Sequence, residues 1–228
     1  MPAEKHISNL KPDPIEGLGA VVLCGGQSTR VGVDKTELVF QGQTFLERVV
    51  EQVASVADKV VLVGQIASDA HRIPNDVEVL QDERAGDGPL EGIRVGLKYL
   101  SDRQLSWAFV TSCDVPLIKP ELIRFLFANR GETAIVPNDG IRIYGMTAIY
   151  KTDLHQQLLQ RIVNKQLRVS ELADALAAKT ISVEELKGID PELDSFTNIN
   201  SAKDYLELLK RFDLDCPPEL ARRLAEKK

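Results

Sequence analysis

Residues 20–35 read AVVLCGGQSTRVGVDK, and this stretch indicates both the fold class and the kind of site. Its first five residues form a short continuous apolar run, which predicts a strand buried on both faces, as in the middle of a parallel sheet. Gly25 and Gly26 follow the run and can turn their backbone N–H groups into one concavity. Arg30 and Lys35 add two cations that can meet phosphate oxygens. The stretch therefore predicts a loop that binds a triphosphate.

The spacing within this loop excludes two common phosphate-binding motifs. Five residues separate Gly26 from Gly32, and Lys35 does not directly follow a glycine, so the loop is not a Walker A motif. It also lacks the G-x-G-x-x-G pattern of dinucleotide-binding folds. The plain alternative is a βα turn with surface cations. Arg30, Gly32, Asp34 and Lys35 together favour the anion-binding interpretation.

Outward from this stretch, apolar runs alternate with segments of helical periodicity. Further strands are predicted over 59–63, 77–80, 107–110, 133–136 and 146–150, and helices over 45–53, 90–100, 120–129, 153–164 and from 201 onward. Such alternation predicts an α/β fold with three layers (α/β/α) and a mostly parallel, Rossmann-like sheet. Ligands bind at the carboxyl ends of the strands in such sheets.

The chain is predicted to hold one main domain. Residues 1–17 contain three prolines and mixed charges, and are expected to form an N-terminal extension. Residues 18–211 form the predicted catalytic domain, and residues 212–228 a C-terminal tail helix with a thin apolar stripe. The tail is expected to dock on the domain or fray.

Composition argues against several classes of protein. The net charge of −6 and the sequence pI of about 5.2 oppose general binding to nucleic acid or to an anionic membrane. The apolar runs span only about 5 or 6 residues, whereas a membrane-spanning helix needs about 20. The N-terminus has no apolar signal-peptide core, and the three scattered cysteines suit a reducing compartment. We therefore expect a cytoplasmic protein.

Asp114 is the candidate metal ligand. It follows the predicted strand 107–110, so it is expected at the carboxyl end of the sheet, beside the glycine-rich loop. Mg²⁺ keeps several water ligands and takes only one or two carboxylates, so a single aspartate suffices. The alternative is a turn or cap residue before Pro120.

Asp82, Asn198 and Asn200 are further candidates. Asp82 follows the predicted strand 77–80, where its carboxylate can accept hydrogen bonds from a nucleotide base; its alternative is a solvated turn residue. Asn198 and Asn200 would project to the same side of an extended segment and orient phosphate, metal-bound water or acceptor. Their alternative is an Asx turn or an N-cap region before Ser201.

The loop resembles the L-x-G-G-x-S-x-R-x-G-x-D-K signature of molybdenum cofactor guanylyltransferases, the MobA-like family of nucleotidyltransferases. The resemblance extends to Ser112-Cys-Asp114-Val-Pro (C-D-x-P) and Phe196-Thr-Asn-Ile-Asn200 (F-x-N-I-N-T), and covers about residues 18–211. It implies the glycosyltransferase-A type fold and Mg²⁺-dependent transfer of GMP from GTP to the terminal phosphate of molybdopterin, with release of pyrophosphate. It also implies contact with cofactor-biosynthesis or acceptor-enzyme partners. The residues that it implies for catalysis are Arg30, Lys35 and Asp114, and Asp114 is also the implied metal ligand. The implied nucleotide-binding residues are Leu23, Cys24, Gly25, Gly26, Lys35, Asp82 and Asp114. The residues implied on the acceptor or phosphate side are Arg168, Asn198 and Asn200.

The sequence departs from the family pattern in two informative places. Val63-Gly64 stands where members often carry an asparagine near the base, and Ile143-Tyr144-Gly145 replaces a His-Pro step near the acceptor. Cys24 and Val31 are milder departures. Two alternatives therefore stay open: a cytidylyltransferase or sugar-phosphate nucleotidyltransferase on the same fold, and a non-catalytic accessory protein that binds GTP or the cofactor.

Overall fold

The computed structural model describes residues 13–25, 36, 38–66, 72–84, 86–218 and 221–222. Within these residues the main sheet has seven strands: β1 Ile15–Cys24, β4 Ala57–Gly64, β5 Glu78–Leu80, β6 Trp107–Ser112, β7 Ala134–Asn138, β8 Ala148–Lys151 and β9 Lys179–Ser182. A small hairpin pairs β2 Val39–Phe40 with β3 Gln43–Thr44. The strand order in the main sheet is β5-β4-β1-β6-β8-β7-β9. Strand β8 is antiparallel to both of its neighbours, whereas the other neighbouring pairs in the seven-stranded sheet are parallel. The prediction of a mostly parallel sheet is confirmed.

Helices cover both faces of the sheet, as a three-layer fold requires. They are α1 Phe45–Ala54, α2 Pro89–Ser101, α3 Pro120–Ala128, α4 His155–Val163, α5 Leu172–Ala175, α6 Val183–Leu186 and α7 Ala202–Arg211. Ala20 and Val22 of β1 belong to a core cluster with α1, α3 and α6, whereas Val21 and Leu23 belong to a second cluster with α2, α4 and α5. Strand β1 is therefore buried on both faces, as its continuous apolar run predicts.

A third cluster joins α7 to the β2–β3 hairpin. Its buried members include Phe40, Phe45 and Tyr205, and the Tyr205 hydroxyl donates to the carbonyl of Val39 at 2.7 Å. Ser201 and Asp204 form a capping box at the start of α7, so aspartate serves in the place where glutamate or glutamine is usual. The cluster fixes the segment that precedes α7 against the main domain.

Both predicted domain boundaries fall inside packed structure. Strand β1 begins at Ile15, within the predicted extension of residues 1–17, and its pairing with β4 shifts register between Ile15 and Gly19. Gly17 has a φ of +76° in this irregular part of the strand. The start of the strand therefore cannot be recognised from hydrophobic periodicity. Beyond α7, Phe212 and Leu214 pack on the third cluster, inside the predicted tail. The division into extension, domain and tail stays a prediction.

No helix among the described residues is long and apolar enough to cross a membrane.

Candidate functional site

A pocket of about 370 Å³ lies at the carboxyl ends of the parallel strands. The order β5-β4-β1-β6 places the ends of these four strands side by side, where a ligand site is expected. The pocket brings together six of the predicted site residues, together with residues from the start of α2 and from the loop before β8. It is lined by Leu23, Cys24, Gly25, Val63, Gly64, Asp82, Gly88, Pro89, Gly92, Ser112, Cys113, Asp114, Met146 and Asn200.

Three other predicted residues, Gly26, Arg30 and Lys35, lie outside the described residues. Their roles in binding and catalysis stay predictions. The described part of the loop ends at Gly25, which lines the pocket directly after β1.

Gly64 shapes the wall of the pocket at the end of β4. Its φ is +123°, a region that favours glycine, and a β-carbon built there would lie 1.7 Å from the carbonyl oxygen of Cys24. A side chain at this position would displace the backbone that leads into the glycine-rich loop. The close approach of β4 to β1 therefore accounts for Gly64 where the resembling family often has a side-chain amide nearby.

Asp82 lies at one end of the pocket, after β5. Asp82 is exposed, and its pKa is raised, first by desolvation from the neighbouring protein and then by the negative charge of Glu91 on α2. Its Oδ1 atom is 3.6 Å from the position that a β-carbon on Gly92 would occupy. A contact of this length is ordinary, so the carboxylate lies beside the first turn of α2, whose Gly92 also lines the pocket.

Asp114 lies at the opposite end, after β6. Its Oδ1 accepts hydrogen bonds from the Ser112 hydroxyl and from the Asn198 side-chain amide, the latter at 3.1 Å. The Ile199 N–H donates to the Asp114 carbonyl at 2.9 Å, so the segment before α7 is tied to Asp114 by both main chain and side chain. These contacts hold the Asp114 carboxylate in one orientation at the carboxyl ends of the strands.

The segment of Asn198 and Asn200 combines the two roles that the sequence suggested. Asn198 bonds to Asp114, and Asn200 lines the pocket. The backbone N–H of Asn200 also donates to Asp204 at 2.9 Å, next to the capping box of Ser201 and Asp204. The capping role therefore belongs to the backbone and to Ser201, which leaves Asn198 to orient the candidate metal ligand.

A buried ion pair behind this segment was not predicted from the sequence. Asp190 is fully buried; its Oδ1 accepts from Lys119 Nζ at 2.6 Å, and its Oδ2 accepts from the Ser195 N–H at 2.8 Å. Burial opposes ionisation of Asp190, but the bonds from Lys119 and Ser195 outweigh it and lower the pKa of the carboxyl. The Lys119 N–H in turn donates to Ser195 Oγ at 3.1 Å. The pair anchors the chain three residues before Asn198.

The oxygen-rich surroundings of Asp114 fit Mg²⁺. The residues that the structure describes contain no group of three or more histidine, cysteine, aspartate or glutamate side chains that could hold a metal. A transition-metal cluster is thus not formed by them, whereas a lone carboxylate suits Mg²⁺, which retains water ligands. The hydroxyl of Ser112 and the amide of Asn198 lie against the same carboxylate.

Arg168 does not line the pocket. Its side chain is 81% exposed and pairs with Glu171 at 3.5 Å. Lys165 of the same basic segment lies closer to the pocket, because its Nζ donates to Asp87 at 3.0 Å. Asp87 directly precedes Gly88, which lines the pocket. An acceptor role for Arg168 stays a prediction, and neither Lys165 nor the pocket residue Met146 was singled out from the sequence.

Known proteins are similar to this chain in sequence and in fold. Residues 20–178 match the family model described as the MobA-like NTP transferase domain. A probable molybdenum cofactor guanylyltransferase of Methanosarcina acetivorans is 34% identical over 217 residues, covering 89% of this chain and 94% of the relative. One from Mycobacterium bovis is 32% identical over 200 residues, covering 86% and 94%. The crystal structure of molybdopterin-guanine dinucleotide biosynthesis protein A from Archaeoglobus fulgidus has a TM-score of 0.67 at 24% identity, covering 86% of this chain and 98% of that one.

Proposed function

The chain belongs to the family of MobA-like NTP transferases, and we propose from this premise that it transfers GMP from GTP to the terminal phosphate of molybdopterin, releasing pyrophosphate. It is a nucleotidyltransferase, which favours catalysis over the alternative of a GTP-binding accessory protein. The observation that carries the specific reaction is that one pocket contains Asp82 and Asp114 at opposite ends. These two carboxylates would contact different parts of the same nucleotide.

The strand order supports one direction for the bound nucleotide. Strands β5 and β6 are separated by β4 and β1, so their ends lie three strand spacings apart, or roughly 14 Å. A nucleoside 5′-phosphate in extended form can bridge such a separation. The base would meet Asp82, the ribose would pass over the ends of β4 and β1, and the α-phosphate would lie near Asp114 and Gly25.

Asp114, with Ser112 and Asn198 against it, would hold Mg²⁺. When bound, this ion supplies positive charge that neutralises the phosphate oxygens. The bonds from Ser112 and Asn198 fix the carboxylate beforehand, so that it need not reorganise when the nucleotide arrives.

The reaction asks for positioning rather than for a catalytic base. An oxygen of the acceptor phosphate forms a bond to the α-phosphorus, the bond from that phosphorus to the bridging oxygen of the β-phosphate breaks, and pyrophosphate leaves. The attacking phosphate is already an anion at neutral pH. Arg30 and Lys35 are predicted to stabilise the charge on the leaving group, because charge-assisted bonds to phosphate are strong. Gly25 lines the pocket, and its backbone would contact the same phosphates.

Guanine is favoured at the Asp82 end because its N1–H and N2–H₂ donors match a carboxylate. A site that presents this carboxylate rejects bases without the donors, since the charged group would be left desolvated and unpaired. A cytidylyltransferase on the same fold is the second candidate. The observation in its favour is that Val63 and Gly64 line the pocket without offering a side-chain amide to the base.

A nucleotide panel separates these candidates. The melting temperature is measured with Mg²⁺ and each of GTP, ATP, CTP and UTP. We expect GTP to raise it most, and the Asp82→Ala variant to narrow the lead of GTP over ATP. A clear preference for CTP moves the protein to the cytidylyltransferase candidate, and equal shifts with all four nucleotides contradict base recognition by Asp82.

A further inference from the structure

A chain of charged residues links the Asp82 loop to helix α2. Glu91 is fully buried, and Arg94 holds it with two bonds of 2.8 Å, one from Nε and one from NH2. The same NH2 group donates to Glu83 Oε2 at 2.6 Å. Arg94 is only 3% exposed, whereas the Glu83 side chain is 57% exposed. One buried guanidinium therefore joins a core carboxylate to a carboxylate on the loop.

We propose that Arg94 and Glu83 are positioning residues that fix the loop after β5, and so hold the Asp82 carboxylate where it selects the base. The inference rests on the proposed function, in which Asp82 meets guanine. Glu83 directly follows Asp82 in the chain, so the bond that holds the Glu83 side chain also restricts the backbone that carries Asp82. Neither Arg94 nor Glu83 lines the pocket.

Electrostatics explain why the loop needs such a tether. Glu83 and Glu91 share the buried guanidinium of Arg94, whereas Arg84 of the same loop is exposed to water. The charge of Glu91 disfavours ionised Asp82. Without the bond to Arg94, repulsion and hydration would draw Asp82 and Glu83 outward, away from the pocket. With the bond, the excess negative charge stays at the pocket edge, where it favours a base edge that presents hydrogen-bond donors.

The tether is charge-assisted and built on a rigid element, and its Glu83 end is exposed to water. Arg94 sits in the second turn of α2, the helix whose first residues Pro89 and Gly92 line the pocket. A guanidinium presents several donors in a fixed plane, so Arg94 can serve Glu91 and Glu83 together. The bond therefore fixes the position of the loop after β5 relative to α2, the helix that forms the neighbouring wall of the pocket.

The test measures base preference by calorimetric titration with GTP and with ATP, each with Mg²⁺ and without acceptor. Glu83→Ala removes the tether but leaves the buried pair of Glu91 and Arg94 intact, so the fold is retained. We expect the ratio of ATP to GTP dissociation constants to fall about two- to fivefold, as for loss of one partly exposed ion pair, while ATP affinity stays the same. Glu83→Gln keeps an acceptor for Arg94 and should recover part of the preference.

Arg84→Ala is the matched control, because Arg84 is an exposed residue of the same loop and takes no part in the tether. It should keep the wild-type ratio; a fall equal to that of Glu83→Ala overturns the inference. An unchanged ratio in Glu83→Ala also overturns it. Asp82→Ala is titrated alongside. If this variant keeps the wild-type preference, Asp82 does not recognise the base, which refutes both the proposed role of Asp82 and the positioning role. Loss in Asp82→Ala without loss in Glu83→Ala refutes the positioning role only.

Discussion

Replacing Asp190 with asparagine tests how the fold supports the candidate metal ligand. The carboxylate accepts from Lys119 and Asp194 through Oδ1 and from Ser195 through Oδ2. An amide offers one acceptor oxygen, so in the Asp190→Asn variant one of these donors faces an NH₂ group instead. The segment before Asn198 should then loosen, and with it the bond from Asn198 to Asp114.

The expected loss of stability in Asp190→Asn depends on how deeply the Asp190 and Lys119 side chains are buried. Breaking a buried ion pair costs about 3–5 kcal/mol, and one unmet hydrogen bond costs about 1–3 kcal/mol. Asp190 is fully buried, but the Lys119 side chain is 32% exposed and can regain water. We therefore expect roughly 2–3 kcal/mol, which lowers the melting temperature by about 4–12 °C in a chain of this size.

The assay combines thermal unfolding with the Mg²⁺ dependence of pyrophosphate release. Asp190→Asn should need more Mg²⁺ for half-maximal turnover. Leu158→Ala is the control: Leu158 is fully buried in α4, and its truncation costs about 2–5 kcal/mol without touching the Asp114 segment. If both variants lose the same stability and keep the wild-type Mg²⁺ dependence, Asp190 is merely structural and the link to Asp114 is refuted.

Three further predictions concern Gly64 at the pocket wall, the titration of Asp82, and Arg30 and Lys35 of the glycine-rich loop. Gly64→Ala forces a β-carbon against the Cys24 carbonyl at φ +123°, and should lower the free energy of unfolding by roughly 2–4 kcal/mol in chemical denaturation. The control variant Gly188→Ala has open space around the new β-carbon and should leave the free energy of unfolding nearly unchanged. Equal losses in the two variants would contradict the close approach of Gly64 to Cys24. Because the pKa of Asp82 is raised and its charged form accepts from guanine, the lead of GTP over ATP should be present at neutral pH. It should fade as the pH falls through a value above the usual aspartate range, and Asp82→Asn should abolish this pH dependence; a preference unchanged in that variant counts against the role. Lys35→Ala and Arg30→Ala should each weaken GTP binding roughly 10- to 150-fold. Unchanged GTP affinity in both variants would refute triphosphate binding by the glycine-rich loop.

Local sequence was sufficient to predict the central part of the fold. The apolar run of β1 and the helical stripe of Phe45, Leu46, Val49, Val50 and Val53 give their elements directly, and the carboxyl-end rule places Asp82 and Asp114 at one pocket. Strand β9 and the β2–β3 hairpin were not predicted, because short segments carry too few residues for periodicity to identify them.

Contacts between distant residues could not be predicted from the sequence. Lys119 and Asp190 are 71 residues apart, and nothing local marks either as a member of a buried pair. The β-carbon clash at Gly64 depends on how closely β4 approaches the end of β1, a distance that only the folded sheet defines. The tether from Arg94 to Glu83 likewise depends on the path of the loop between β5 and α2.

The most direct test of the proposed reaction follows the α-phosphate of GTP. Wild-type protein is incubated with Mg²⁺, molybdopterin and GTP labelled at the α-phosphate, and the label in the acceptor is compared with the pyrophosphate released. We predict one label transferred for each pyrophosphate, loss of both on addition of EDTA, and nearly complete loss in Asp114→Asn at an unchanged fold by circular dichroism. Transfer by Asp114→Asn at close to the wild-type rate would contradict the central role of this carboxylate, and GTP binding without any transfer by the wild type would contradict the proposed reaction.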